Sequence, residues 1–394
     1  MIRRHSVFVI ALLLPGWGRT LEGATYFVRV TATGAGDCSA WAHACTLQQA
    51  IDLAQGGTPD QIWVKSGTHA SIAISDSVDI YGGFAGTETA VSQSNPTANQ
   101  TIIDGNNALR GILIDQDAAN VRVQGLVIRN GNAGGDFVGG GGAVLLEGTA
   151  VAFVNCDFED NKAEFLGGAV AAWGVRADFV NCKFARNGRA PLQGQPSSTA
   201  RPFGGGALFA SIDCELTIVN CLFADNIAAE GGAVASGAWK GTVRNSTFVN
   251  NWAAYTDGGG LYDNSRVMPV HNCIFRGNWA ARSGNHIFGF PQRTPAVVTY
   301  SNVEGGWTGT GNIDADPLFA NPAAGDYTLT SSSPCKNTGS TGLLPLDVFD
   351  VDYDGNTSEA IPRDLRRCQR TFGGTVDMGA YEYSFCTGGG SGAQ

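Results

Sequence analysis

The fold is decided by a phrase that first reads Asn155-Cys156-Asp157-Phe158-Glu159-Asp160-Asn161 and returns four more times. The later copies begin at Asn181, Asn220, Asn245 and Asn272, so the steps between copies are 26, 39, 25 and 27 residues. A second phrase reads Gly-Gly, then Ala or Gly, then Val or Leu. Its second glycine lies 13 or 14 residues before the first Asn of each copy. A period of this size, built from short apolar runs, indicates a solenoid.

The runs between the glycines and asparagines are rich in Val, Phe, Ile and Ala, and they are too short for helices. A turn of about 25 residues with two or three strands fits one coil of a parallel β-helix, and each coil then pairs with the next at roughly 4.8 Å. We therefore expect an all-β, right-handed parallel β-helix solenoid of about ten coils. Like residues stack into internal columns, one of Phe158, Phe184, Phe223, Phe248 and Phe275 and one of Val144, Val170, Leu208, Val234 and Leu261.

Two further columns have structural explanations. Stacked asparagines bond to the backbone and to each other, and asparagine tolerates left-handed backbone geometry. The residue after the first Asn is Cys156, Cys182, Cys221, Ser246 and Cys273 in the five copies. Adjacent coils bring such cysteines within disulfide range, but a column of small buried side chains is the favoured interpretation because a serine occupies the same position.

The N-terminal segment, residues 1–24, has a basic start and an apolar run too short to span a membrane, which predicts a secretory signal. A buried N-terminal strand is the alternative. Residues 25–60 are expected to form a cap containing a helix over Thr46–Gln55, which closes the open end of the solenoid. We expect no transmembrane segment and a monomer.

The remaining boundaries follow from where the repeat ends. The coils are expected over residues 61–302, an irregular C-terminal cap over 303–386 and a flexible tail over 387–394. The segment 188–203 accounts for the long step between copies and is predicted to be a surface loop.

Export would make disulfides plausible among the ten cysteines. Cys38 and Cys45 are the best predicted pair, and Cys335, Cys368 and Cys386 are expected to supply another. The chain has 25 basic and 35 acidic residues, which argues against nucleic acid as a partner.

The repeated phrases resemble those of polymorphic outer-membrane proteins and other right-handed parallel β-helix proteins. The stretch Thr46–Thr89 resembles the entry coils of pectate-lyase-like proteins. The tail, from Asp316 through Asp326-Tyr327 to Asp377-Met378-Gly379-Ala380-Tyr381-Glu382, resembles the choice-of-anchor Q domain of bacterial surface proteins. The resemblance implies a bacterial protein that is secreted or held at the cell surface.

Three sets of residues are candidates for function. Arg244 and His271 precede the first Asn of adjacent copies, so they would lie side by side on the outer surface as an acid/base pair. An outward column containing Phe209 and Tyr262, with Trp173 nearby, presents aromatic rings on which sugars stack. For Arg244 and His271 the plainer interpretation is two ordinary surface residues, and for the aromatic column it is a surface covered by the 188–203 loop.

The third candidate is Asp350-Val351-Asp352-Tyr353-Asp354-Gly355-Asn356, in which alternating carboxylates precede a glycine. Asp350, Asp352 and Asp354 resemble the first half of a calcium loop, although Pro362 and Arg363 stand near the position where an EF-hand has its glutamate. We expect a structural Ca²⁺ there or else a solvated acidic turn, and no other cofactor.

These observations favour a secreted or cell-surface scaffold that contacts extracellular glycans or other cell surfaces without turnover. The alternative is a lyase or hydrolase that acts on an acidic polysaccharide. Regular repeats favour the scaffold because a catalytic groove usually interrupts the pattern, whereas the 188–203 insertion favours the enzyme.

Overall fold

The structure is a computed structural model, and it describes residues 23–54, 60–134, 140–148, 150–188, 204–289 and 297–384. The chain winds into a parallel β-helix in which three long sheets run along the stack. The predicted all-β solenoid is confirmed, and the ten strands of the largest sheet agree with the expected number of coils.

The three sheets are numbered here in the order in which a coil passes through them. Sheet 1 consists of Thr25–Val28, Asp60–Lys65, Val78–Phe84, Asn120–Gln124, Ala150–Val154, Arg176–Val180, Glu215–Val219, Lys240–Arg244, Val270–His271 and Val298–Thr299. Sheet 2 consists of Gly67–His69, Thr101–Asp104, Leu126–Arg129, Asp157–Glu159, Lys183–Ala185, Leu222–Ala224, Thr247–Val249, Ile274–Arg276 and Asn302–Val303. Sheet 3 consists of Ile72–Ile74, Ile112–Ile114, Val144–Leu146, Val170–Ala172, Leu208–Ala210, Val234–Ser236, Leu261–Asp263 and Ile287–Gly289.

The smaller elements lie at the edges of this stack. A short three-stranded sheet follows sheet 2 and consists of Ile227–Ala228, Trp252–Ala253 and Trp279–Ala280. Phe319–Asn321 and Asp326–Leu329 form an antiparallel pair. The α-helix is Leu47–Leu53, and the 3-10 turns are Trp41–His43, Val91–Gln93, Pro322–Ala324 and Thr341–Leu343.

The predicted phenylalanine column is confirmed. The rings of Phe158, Phe184, Phe223, Phe248 and Phe275 stack face to face with centroids 4.6, 4.7, 4.7 and 4.5 Å apart, and all five are fully buried. Offset stacking of buried rings adds to the stability that their burial alone provides. The predicted Val/Leu column of sheet 3 is in register and equally buried.

The two asparagine columns differ in structure, although the sequence predicted the same role for both. The first Asn of each copy adopts a left-handed conformation, with φ of 52°, 52°, 52°, 48° and 55° along the stack. The second Asn forms a buried ladder of side-chain amides, consisting of Asn161, Asn187, Asn226, Asn251 and Asn278. Asn181 and Asn220 of the first column also donate to the Asn side chain of the preceding coil, whereas the unbroken ladder belongs to the second column.

The cysteine column is a column of small buried thiols, as favoured. Cys156, Cys182, Cys221 and Cys273 are free, and each Sγ lies near a backbone carbonyl of its own or the preceding coil. Ser246 takes the same place and accepts a bond from the Cys221 N–H.

The predicted Cys38–Cys45 disulfide is present. In the tail, Cys368 takes part in a disulfide, in line with the one pair expected among the three tail cysteines, whereas Cys335 is a buried free thiol. Cys386 lies outside the described residues. Asn302 donates to the Cys335 Sγ over 3.0 Å, which gives this thiol a polar partner inside the core.

Both ends of the stack are closed. The helix Leu47–Leu53 is shorter than predicted, and its apolar side, including Leu47, Ala50 and Ile51, is buried against the first coils. Gln49 accepts hydrogen bonds from Thr46 N–H and Oγ1, which secures the first turn. At the far end, Trp307 packs against the core.

The C-terminal segment, residues 313–383, runs along the side of the solenoid. Phe349, Val351 and Ile361 pack on outward valines of sheet 1 such as Val180. Tyr327, Tyr381 and Leu329 pack on outward residues of sheet 2. The segment therefore covers the outer faces of two of the three sheets.

None of the helices in the part of the chain that the structure describes is long and apolar enough to cross a membrane. The predicted signal, apart from its last two residues, and the tail 387–394 lie outside the described residues.

Candidate functional site

Arg244 and His271 are brought together as the repeat predicted. They are paired residues on neighbouring strands of sheet 1. Val243 and Val270, which precede them, are fully buried. Since successive side chains of a strand point to opposite faces, Arg244 and His271 point outward together.

The C-terminal segment contacts Arg244, and the next strand of sheet 1 contacts His271. Arg244 donates through Nη1 to the Leu343 carbonyl over 2.7 Å and through Nε to Thr242 Oγ1 over 3.2 Å. His271 Nδ1 lies 2.8 Å from Thr299 Oγ1. Burial lowers the pKa of both groups, and the Arg244 charge lowers the pKa of His271 further. His271 is therefore a neutral ring at neutral pH, and Arg244 serves as a contact to the covering segment.

A hollow of about 400 Å³ remains beside Arg244, between sheet 1 and residues 344–349. Arg176 and Asp178 lie on its wall with Nε and Oδ2 3.0 Å apart, and Asp178 is 2% exposed. Burial raises the Asp178 pKa against the opposing charge of Arg176. This pair was missed in the sequence, although a carboxylate between the apolar residues of a repeated strand was a usable signal.

The aromatic column lies on the outer face of sheet 3, as predicted. Its residues are in register along the stack and are Leu113, Leu145, Ala171, Phe209, Ala235, Tyr262 and Phe288. Phe209, Tyr262 and Phe288 are partly exposed, whereas Leu145 and Ala171 are buried beneath neighbouring side chains.

Two aromatic pairs stand on this face. Trp173 packs against Phe209 with ring centroids 5.3 Å apart. Tyr262 stacks on Phe288 at 5.2 Å and 17°, and Phe288 was missed because the motif ends before its coil. Burial, with Glu230 and Asp257 nearby, raises the pKa of Tyr262 to about 12, so its phenol remains a hydrogen-bond donor. The 188–203 loop lies outside the described residues except for Gly188.

The acidic loop brings Asp350, Asp352 and Asp354 together, with one oxygen of each within 4.8 Å of the others. Asp352 also meets Asp347 and Glu359 within the same limit, and neither of these two was a candidate from the sequence. Asp352 Oδ1 and Glu359 Oε1 are buried oxygens without a hydrogen-bond partner. Such a set of carboxylates matches the ligands that Ca²⁺ prefers.

Residues 94–309 match the family model of the right handed beta helix region. This is more than half of the 394 residues. The chain belongs to the right-handed β-helix family. No curated protein sequence matches this β-helix chain.

Among solved structures, a pectate lyase, Pel9A, is similar at 11% identity and a TM-score of 0.43, over 92% of this chain and 97% of that one. A pectin methylesterase mutant in complex with a hexasaccharide is similar at 14% identity and a TM-score of 0.29, over 79% of this chain and 99% of that one. The pectin methylesterase PemA from Erwinia chrysanthemi is similar at 14% identity and a TM-score of 0.28, with the same coverage. Likenesses this weak say nothing about what this β-helix protein binds.

Proposed function

We propose that this protein is a secreted or cell-surface β-helix that binds extracellular glycans along the outer face of sheet 3, without turnover. The observation that carries the proposal is the set of partly exposed aromatic rings on that face. Phe209, Tyr262 and Phe288 lie in one column along the stack, so they suit a linear ligand parallel to the axis.

The covering of the other faces supports the same proposal. The apolar clusters that described C-terminal residues form with the solenoid involve sheets 1 and 2, and none of them includes a residue of sheet 3. Lyase chemistry needs a base that reaches its substrate. Arg244 is bonded to the covering segment and His271 to Thr299, which disfavours the alternative of an enzyme.

The expected location follows from the sequence. The predicted signal over residues 1–24 supports export, and the likeness of the tail to the choice-of-anchor Q domain supports a place at the cell surface. The Cys38–Cys45 disulfide suits an oxidising compartment.

Affinity electrophoresis in gels that contain a panel of neutral and acidic polysaccharides tests the proposal. We expect at least one polysaccharide to retard the protein. Tyr262→Ala should weaken that retardation roughly fivefold, because one aromatic stack contributes about 1 kcal/mol. Phe372→Ala is the matched control, since Phe372 is an exposed ring, 43% accessible, in the C-terminal segment. No retardation by any member, or equal effects of the two variants, would contradict the proposal.

We also propose that the Asp350–Asp354 loop holds a structural Ca²⁺. The support is the convergence of Asp350, Asp352 and Asp354, together with the partnerless buried oxygen of Asp352. An ion there would offset the repulsion among carboxylates that Arg363 alone, 3.5 Å from Asp352, does not neutralise.

Thermal unfolding with added Ca²⁺ or with a chelator tests this second proposal. Ca²⁺ should raise the Tm of the protein, since a ligand that binds only the folded state stabilises it. Asp352→Asn should remove the response, whereas Asp117→Asn, at an exposed acid outside the loop, should keep it. The same Tm with Ca²⁺ and with chelator would count against the site.

A further inference from the structure

A second aromatic feature lies on the edge of the stack that follows sheet 2. The residue after the second Asn of each copy forms its own column, in which Ile227, Trp252 and Trp279 are paired in register. The two indoles are 44% and 48% exposed, and their centroids are 5.7 Å apart. The rings of the phenylalanine column, by contrast, are fully buried, and tryptophan side chains are highly buried on average.

This ridge ends at a hollow of about 510 Å³ between Trp279, residues 284–287 and residues 303–307. Two polar side chains form one wall of the hollow. His286 Nε2 lies 3.5 Å from Glu304 Oε2, and the imidazole is only 12% exposed. The combination of aromatic walls with a few placed polar groups is typical of small-molecule sites.

The asparagine ladder fixes the state of His286. Asn278 Oδ1 accepts two bonds from Asn251, so its Nδ2 is the group that faces His286 Nδ1 at 3.3 Å. An NH₂ group donates, so Nδ1 accepts and the ring proton sits on Nε2, toward Glu304. Burial lowers the His286 pKa, although Glu304 opposes this, and the ring is held neutral.

Glu304 is held in place as well. Its Oε2 accepts a bond from the Gly277 N–H over 2.7 Å, and its Oε1 lies 3.8 Å from Arg276 Nε. The Glu304 side chain is 39% exposed, so a ligand in the hollow can approach it. The hollow thus offers a donor and an acceptor side by side, and Trp279 lines the same hollow.

We propose that the Trp252–Trp279 ridge and the His286–Glu304 hollow form a binding site for an uncharged pyranose-based glycan. An indole face takes the apolar face of a sugar ring, and a carboxylate beside an N–H suits adjacent hydroxyls. A uronate is disfavoured because its carboxylate would meet Glu304 in a chain of net charge −10. Successive coils advance roughly 4.8 Å, so one linear chain reaches both indoles in turn.

The site lies on a different edge from the sheet 3 face, and it rests on the proposed function only in that a glycan is the ligand. Isothermal titration calorimetry of the full-length protein measures binding at this site. The ligands are neutral gluco-, manno- and galacto-oligosaccharides and an oligogalacturonate. We expect a neutral oligosaccharide to bind. Trp279→Ala should weaken that binding about tenfold, since an indole that a ligand covers contributes that much.

Trp239→Ala is the control, because Trp239 is 55% exposed at another corner of the stack. Glu304→Gln, which keeps the shape of the side chain, should weaken the neutral ligand without changing the Tm. Preference for the uronate, or equal effects of Trp279→Ala and Trp239→Ala, would overturn the site.

The outcomes separate this site from the sheet 3 proposal. If Tyr262→Ala removes all glycan binding and Trp279→Ala removes none, the ridge is wrong while the proposed function holds. If Trp279→Ala removes all of it and Tyr262→Ala none, the ridge is the site and the sheet 3 assignment fails. If no glycan binds the folded protein, both proposals fail.

Discussion

At the residue scale, the second asparagine of each copy is the most constrained polar group in the coil. The amide of Asn251 donates to the Phe223 carbonyl and to Asn278 Oδ1, and it accepts from the N–H and the side chain of Asn226. Every hydrogen-bonding atom of a fully buried side chain is thereby satisfied. Removing one rung leaves buried groups without partners on both sides.

Asn251→Ala should therefore lower the free energy of unfolding by about 2–4 kcal/mol, the cost of several unsatisfied buried groups. Chemical denaturation measures it. Asn356→Ala is the control, because Asn356 is exposed and its side chain accepts hydrogen bonds from the nearby Ser358. A loss no larger than that of the control would show that the ladder is not what ties the coils together.

The thiols of the stack should be unreactive in the folded protein. Burial raises the pKa of Cys273 to about 12 and that of Cys335 to about 11, and it also raises that of Cys182, so all three are protonated at neutral pH. We expect the six free thiols within the described residues to become reactive toward a disulfide reagent only after unfolding. Reaction of column cysteines in native protein would mean that the coils open.

At the element scale, the register of the coils was predictable, because equivalent residues of an in-register stack must share their chemistry. Phe158 and Phe184 could be placed inside for that reason. The short sheet that carries Trp252 and Trp279 was missed, since the same position holds Ile227 in the preceding coil and Lys162 earlier. A column whose residues differ leaves no periodic signal.

A buried cluster of charged residues surrounds the Asp377–Glu382 turn near the end of the described chain. Arg370, Asp364, Asp377 and Glu382 are all fully buried, and Arg370 donates to the carbonyls of Asp377 and Gly379. Burial raises the pKa of Glu382 to about 8, although Arg370 opposes the shift. The folded chain thus holds a proton there that the unfolded chain releases at lower pH.

Because of this raised pKa, the free energy of unfolding should fall as the pH rises. A carboxyl whose pKa is raised by folding stabilises the protein most below its unfolded pKa, and that stability is lost as the pH rises toward 8. Glu382→Gln should flatten this fall in the free energy of unfolding, whose slope is at most about 1.4 kcal/mol per pH unit. Glu147→Gln, at an exposed acid, should leave the slope intact. Parallel curves for wild type and Glu382→Gln would refute the assignment.

At the scale of the whole molecule, the C-terminal segment determines which surfaces are open. It joins residues far apart in sequence, as where Arg122 donates to the Phe349 carbonyl and Gln124 to the Tyr353 hydroxyl. These contacts follow no repeat, so the sequence could not place the segment over Arg244. That is why the candidate pair was predicted as neighbours but not as covered.

Ending the chain after Asp314 should uncover the outward valines of sheet 1 that Phe349 and Ile361 shield. Contiguous exposed apolar surface promotes association. We expect the shortened protein to self-associate in light scattering and sedimentation, while the full-length protein stays monomeric. A monomeric shortened protein of unchanged stability would show that the segment neither stabilises the solenoid nor prevents its association.

The proposed function requires that the protein holds glycans and does not cut them. A polysaccharide that retards the protein should be incubated with it, followed by measurement of new reducing ends, of ultraviolet absorbance from unsaturated products and of chain length. All three are expected to stay at the level measured without protein. Shortened chains, with the activity lost in Arg244→Ala, His271→Ala or Asp178→Asn, would contradict the proposed function and make the protein an enzyme.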